Sequence, residues 1–149
     1  MARIFISYRT STSTRLAEHL VESLESLGYQ RPFLDRSIPV GADWQREIRF
    51  HLAHCPALVV LWDEEAKNSS YVEYELQVAQ ARIADGEQLA MVFVMLPGLP
   101  SGEGSPAAPP VPPSPFDQTQ ALRLETRDAT VVAGRVAAVL SERGVGPGS

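Results

Sequence analysis

Ala57-Leu58-Val59-Val60-Leu61-Trp62 is a run of six apolar residues without a polar break, set between Pro56 and Asp63. A strand with one solvated face alternates apolar and polar residues, so an unbroken run marks a strand covered on both faces. A second such run, Leu89 to Leu96, lies downstream. Between them Asn68-Ser69-Ser70 opens a helix whose stripe is Val72, Leu76, Ala79 and Ile83, and Gly86 ends it. Two buried strands joined through a helix make a right-handed crossover in a parallel sheet.

Upstream, Arg3 to Tyr8 reads as a further buried strand and Ser11 to Leu27 as a helix with Leu16, Leu20, Leu24 and Leu27 at helical spacing, stopped by Gly28. Gln30 to Leu34 is a short strand that Pro32 consigns to a sheet edge. Asp35 to Gly41 is a loop, after which Asp43 caps a helix carrying Trp44, Ile48 and Leu52 and ending near His54. Downstream, a proline-rich stretch over 97–117 is read as a loop insertion, since it cannot form a packed helix or inner strand. Ala121 to Leu124 is the last strand, and Ala129 to Leu140 a closing helix with Val132, Val136, Val139 and Leu140 inward. The alternation predicts an α/β, flavodoxin-like, doubly wound five-stranded parallel sheet of order 2-1-3-4-5 with helices on both faces. One domain is expected over residues 1–143, with 144–149 a flexible linker or appended tail.

The 149 residues, 44% hydrophobic and 21% charged, suit a single globular domain. A net charge of -5 argues against a duplex nucleic-acid binder, which needs clustered Lys and Arg. The single cysteine, Cys55, excludes an intramolecular disulfide and fits a reducing compartment. No apolar run reaches the ~18–20 residues of a bilayer span, and Met1-Ala2-Arg3 leads straight into a strand, so no leader or membrane contact and a cytoplasmic location are expected.

Ligands of such sheets bind beyond the carboxyl ends of the strands. There, Glu75 follows Tyr71 by one helical turn, so the two share a face. A carboxylate beside an aromatic ring can hold a ribose diol and stabilise positive charge at an anomeric carbon. The competing reading is a solvated glutamate favoured by the helix dipole. Glu73 already has a structural task, in capping-box register with Ser70. Ser7-Tyr8-Arg9 ends the first strand, where Arg9 can meet phosphate oxygens or simply face solvent. Asp35 and the loop behind it can be a lid, a docking surface or an ordinary connection. Thr10-Ser11-Thr12-Ser13-Thr14 supplies neither G-x-G-x-x-G nor a Walker lysine, which excludes a Rossmann dehydrogenase and a P-loop NTPase and disfavours a flavin carrier. His51-x-x-His54-Cys55 is read as a helix end with a buried thiol, so no metal site is expected.

Together these segments resemble a TIR domain (Toll/interleukin-1 receptor/resistance) from Arg3 to about Leu96, and beyond that by element order only. Arg3-Ile-Phe-Ile-Ser-Tyr-Arg9 is similar to the family's first box. Asp35 to Gly41, followed by Trp44 and Ile48, resembles its BB loop. Ser69-x-Tyr71-x-x-x-Glu75-Leu76 resembles its Ser-x-Trp-Cys-x-x-Glu-Leu motif, with Tyr71 in place of tryptophan and Val72 in place of cysteine. The late Phe-Trp box of animal adaptors is absent, Phe116 standing alone, which favours a prokaryotic-type effector.

The resemblance implies an NAD+ glycohydrolase that takes NAD+ as substrate with no cofactor. Glu75 would be the catalytic carboxylate. Ser7, Arg9, Phe33, Asp35, Trp62, Ser69 and Tyr71 would line the substrate site. Arg36, Ser37, Ile38, Pro39, Val40 and Gly41 would form the assembly loop, docking head to tail on a second copy and building a filament. A C-terminal sensor domain for a nucleotide messenger is the expected partner in an antiphage protein. A non-catalytic TIR–TIR scaffold is the alternative from another class, and a nucleoside deoxyribosyltransferase-like enzyme a more distant one.

Overall fold

The computed structural model describes residues 4–8, 10–34, 43–62, 70–87, 89–95, 121–123 and 128–146, with backbone alone at 10–13, 44–45, 70–71, 121 and 123. The elements are β1 (Phe5–Ser7), α1 (Thr10–Ser26), β2 (Phe33–Leu34), α2 (Trp44–His54), β3 (Ala57–Trp62), α3 (Ser70–Ala84), β4 (Ala90–Met95), β5 (Ala121–Arg123) and α4 (Ala129–Glu142). All strand pairs are parallel and the order is β2-β1-β3-β4-β5, the expected doubly wound arrangement.

The unbroken apolar runs explain the centre of the sheet. β3 and β4 pair from Ala57 opposite Ala90 to Trp62 opposite Met95, and all twelve residues are buried. Alternation sends Ala57, Val59 and Leu61, with Ala90, Val92 and Val94, into a core layer shared with α1 and α4. Leu58, Val60 and Trp62, with Met91, Phe93 and Met95, enter the opposite layer beneath α2 and α3. Each fully buried Leu or Ile contributes roughly 1.5–3 kcal/mol. Val132, Val136, Val139 and Leu140 of α4 all face inward, as their spacing predicts.

Local signals end the helices where expected. Gly28 and Gly86 adopt φ of 101° and 85°, the left-handed conformation that turns the chain after α1 and α3. Asp43 caps α2, its side chain accepting from the Arg46 backbone N–H at 3.3 Å. Pro32 precedes an edge strand of only two residues, β2, and Phe33 donates its N–H to the Ile4 carbonyl at 2.8 Å.

Three expectations need correcting. Leu27 is 46% exposed because α1 ends at Ser26 and the turn carries Leu27 off the stripe. Ile83, in the final turn of α3, is 45% exposed. The packed body also runs past residue 143: Val145 packs against the α1/α4 layer, donates its N–H to the Leu140 carbonyl at 2.8 Å and accepts from the Tyr29 hydroxyl at 3.0 Å. The insertion over 97–117 and Leu124 lie outside the described residues. No described helix is long and apolar enough to cross a membrane.

Candidate functional site

β1 and β3 are neighbours whose connections leave in opposite directions, β1 toward β2 and β3 toward β4. The crossover after β1 therefore lies on one face and that after β3 on the other, and the carboxyl ends of the two strands flank a switch point. Ser7 is the last residue of β1 and pairs with Val60 of β3. It shares the parity of Phe5, whose side chain enters the α2/α3 layer, so Ser7 faces α3. Glu75 lies in the second turn of α3, the helix that leaves β3 at that same edge.

The two meet. The Ser7 hydroxyl donates to Glu75 Oε1 at 3.0 Å, across 68 residues of sequence. Ser7 is 1% exposed and Glu75 0%, while the other buried side chains among the described residues are aliphatic or aromatic, apart from the Cys55 thiol. The solvated reading of Glu75 is thereby overturned. A carboxylate held out of water gives up its hydration, so such a group is costly to keep where an apolar side chain would pack. What it offers in exchange is chemical: a carboxylate in a low-dielectric setting acts on a nearby positive charge far more strongly than one in water.

The other expected site residues separate into two groups. Phe33 and Trp62, expected as pocket walls, are core side chains. Phe33 stacks on His51 with centroids 3.8 Å apart and tilts against Phe5 at 5.1 Å, while Trp62 meets Phe93 edge-on at 5.7 Å. Both are below 7% exposed, because β2 and β3 point these positions into the α2/α3 layer. Arg9, Asp35, Ser69, and the loop Arg36, Ser37, Ile38, Pro39, Val40 and Gly41 lie outside the described residues, as do the side chains of Tyr71, Trp44 and Ser70. Glu73 stands exposed in the first turn of α3.

His51 belongs to the Phe33 stack, and His54 Nδ1 lies 2.8 Å from the Phe50 carbonyl oxygen. Among the described residues no group of three His, Cys, Asp or Glu converges as metal ligands would. Cys55 is a buried free thiol, its pKa pushed up to about 11 by burial, which outweighs the opposing pull of Arg82.

Arg82 went unnoticed in the sequence. From the last turn of α3 its Nη1 donates to the carbonyls of Leu52 (2.6 Å) and Cys55 (2.8 Å), capping α2 from outside. The signal was present: α2 runs into Cys55-Pro56 with no glycine to turn its end, so its last carbonyls need a donor from another element.

The family model for the TIR domain matches residues 4–129. No curated protein matches the chain.

Proposed function

Because the chain belongs to the TIR domain family, we propose that it is an NAD+ glycohydrolase with Glu75 as its catalytic carboxylate. The family includes NAD-cleaving enzymes as well as signalling domains, and its members commonly self-associate. The observation that carries the enzymatic reading is the burial of Glu75 at the switch point, hydrogen-bonded by Ser7. A domain that only recruits partners needs its surface, and has no use for a buried carboxylate at that edge.

The chemistry suits a site with little covalent machinery. The bond between the ribose anomeric carbon and the nicotinamide ring nitrogen breaks, and its electron pair returns to the ring. Nicotinamide is cationic while attached and leaves neutral, so no general acid is required. The sugar carries the positive charge as an oxocarbenium-like state. Glu75 would hold the ribose hydroxyls and stabilise that charge, which makes orientation and electrostatics the main contributions. Water then adds to the anomeric carbon and releases a proton, giving ADP-ribose. Attack by a nucleophilic nitrogen of the same molecule gives a cyclic isomer instead.

With Glu75 shielded from solvent, a substrate reaches it only after the surrounding chain shifts. This supports assembly-dependent activation, in which the Arg36–Gly41 loop of one copy docks on the next and a filament is the active form. The setting that fits is the effector part of a prokaryotic-type defence protein, triggered through a sensor domain.

The test is nicotinamide release from NAD+, followed by chromatography, for wild type and Glu75→Ala, dilute and then crowded on beads. Cleavage that appears on crowding and is lost in Glu75→Ala supports the enzyme. Absence of cleavage in demonstrable filaments rejects it and leaves the scaffold.

A further inference from the structure

We infer that Ser7 is a positioning residue for Glu75, and not a contact to the substrate. The inference rests on the glycohydrolase reading and revises the role that the family resemblance suggests for this serine.

Three observations carry it. First, Ser7 belongs to a strand paired on both sides, β2 and β3 flanking β1, and its backbone register is set opposite Val60. A serine on such a strand keeps one side-chain torsion, so its hydroxyl is a donor at a nearly fixed point. Glu75 has three torsions on a helix, and its carboxylate needs an anchor from another element to stay in one place. Catalytic groups work when held within about 0.5 Å of the productive geometry.

Second, a hydroxyl has one proton to donate. That of Ser7 goes to Glu75 Oε1, and Ser7 is 1% exposed. While that bond is kept, the serine has only lone pairs to offer a ribose, and to donate to the sugar it would have to give up the bond and the carboxylate its anchor together.

Third, the position itself calls for an apolar residue. Ile4, Phe5 and Ile6 before it are all buried and apolar, and Ser7 is as buried as they are. The hydroxyl is explained by the carboxylate it meets, because a buried polar group is retained where it has a partner.

The test uses bead-crowded protein and initial rates for Ser7→Ala and Ser7→Cys, with thermal midpoints measured alongside. Loss of a hydrogen bond to a charged group predicts that kcat of Ser7→Ala falls about tenfold or more while KM stays within about twofold. Ser7→Cys should fall between Ser7→Ala and wild type, because a thiol is a weak donor of similar size. NAD+ affinity, measured by equilibrium dialysis in a Glu75→Gln background, should be unchanged when Ser7→Ala is added. A rise in KM at constant kcat, or weaker NAD+ binding in the Glu75→Gln background, would mean direct substrate contact and overturn the inference. It is equally overturned if Ser7→Cys is no faster than Ser7→Ala, or if Ser7→Ala matches wild type. Failure of crowded wild type, in demonstrable filaments, to release nicotinamide defeats the glycohydrolase reading before any Ser7 variant is compared, and the positioning role falls with it.

Discussion

Glu75 and Ser7 form a buried polar pair beside a layer of aliphatic and aromatic side chains that includes Phe5, Leu58, Val60, Trp62, Leu76 and the Cys55 thiol. Replacing both partners of such a pair by apolar groups is commonly neutral or stabilising by about 1–4 kcal/mol, whereas removing one costs the other a buried hydrogen bond. Ser7→Ala/Glu75→Leu should therefore unfold at or above the wild-type temperature, and Ser7→Ala alone below it, while the double variant releases no nicotinamide. Thermal unfolding and the NAD+ assay check the two halves. Cys55 supplies a pH test of its own. Its pKa is raised in the fold from 9.0 to about 11. Below pH 9 the thiol is neutral in both states and its contribution is fully present. As pH rises from 9 toward 11 the unfolded chain loses this proton first, and stability falls by an amount on the order of 2 kcal/mol. Urea unfolding at pH 8 and pH 10.5 should show this extra loss in wild type and its absence in Cys55→Ala.

Among the described residues, α2 is the helix whose two ends are both seen to be held by side chains. The Asp43 side chain accepts from the Arg46 N–H in its first turn, and Arg82, from α3, donates to its last carbonyls. Asp43→Ala should cost about 1 kcal/mol, the usual value of a lost N-cap. Arg82→Met keeps much of the aliphatic stem and loses two charge-assisted hydrogen bonds, so a larger loss of about 2–3 kcal/mol is expected. Chemical denaturation ranks the two. The reverse order would mean that Arg82 is already satisfied by its ion pair with Glu87, 3.5 Å away, and contributes little to α2. Element identity was legible here because local signals agreed: Asp43 before the periodic run, Pro56 after it, Ile48 and Leu52 on one stripe. Arg82 was not legible, since the residue that caps α2 lies 27 positions from Cys55 and only the packing of α3 brings it there.

For the molecule as a whole, the switch point between β1 and β3 places the candidate site, and self-association is the family's common habit. Shielding of Glu75 predicts that dilute protein turns over NAD+ at least about tenfold more slowly than the same protein crowded on a surface. That figure corresponds to a shift of only about 1.4 kcal/mol in the exposed population. Equal rates per molecule in both settings would remove assembly from the mechanism and require Glu75 to become accessible within a single copy.

The order of elements, the two-sided burial of β3 and β4 and the edge position of β2 were all readable from residue pattern, because each depends on neighbours within a few positions. Residue pattern left Glu75 between a solvated and a chemical role, and only the family resemblance singled it out. Only the tertiary structure decided that Glu75 is buried and not solvated, that its hydroxyl partner is Ser7, and that Phe33 and Trp62 are core rings. A helix stripe specifies which residues are apolar, but the surroundings of a polar residue beside that stripe depend on the strand packed beneath it. Here that strand is β1, which reaches Glu75 only through the parallel order β2-β1-β3.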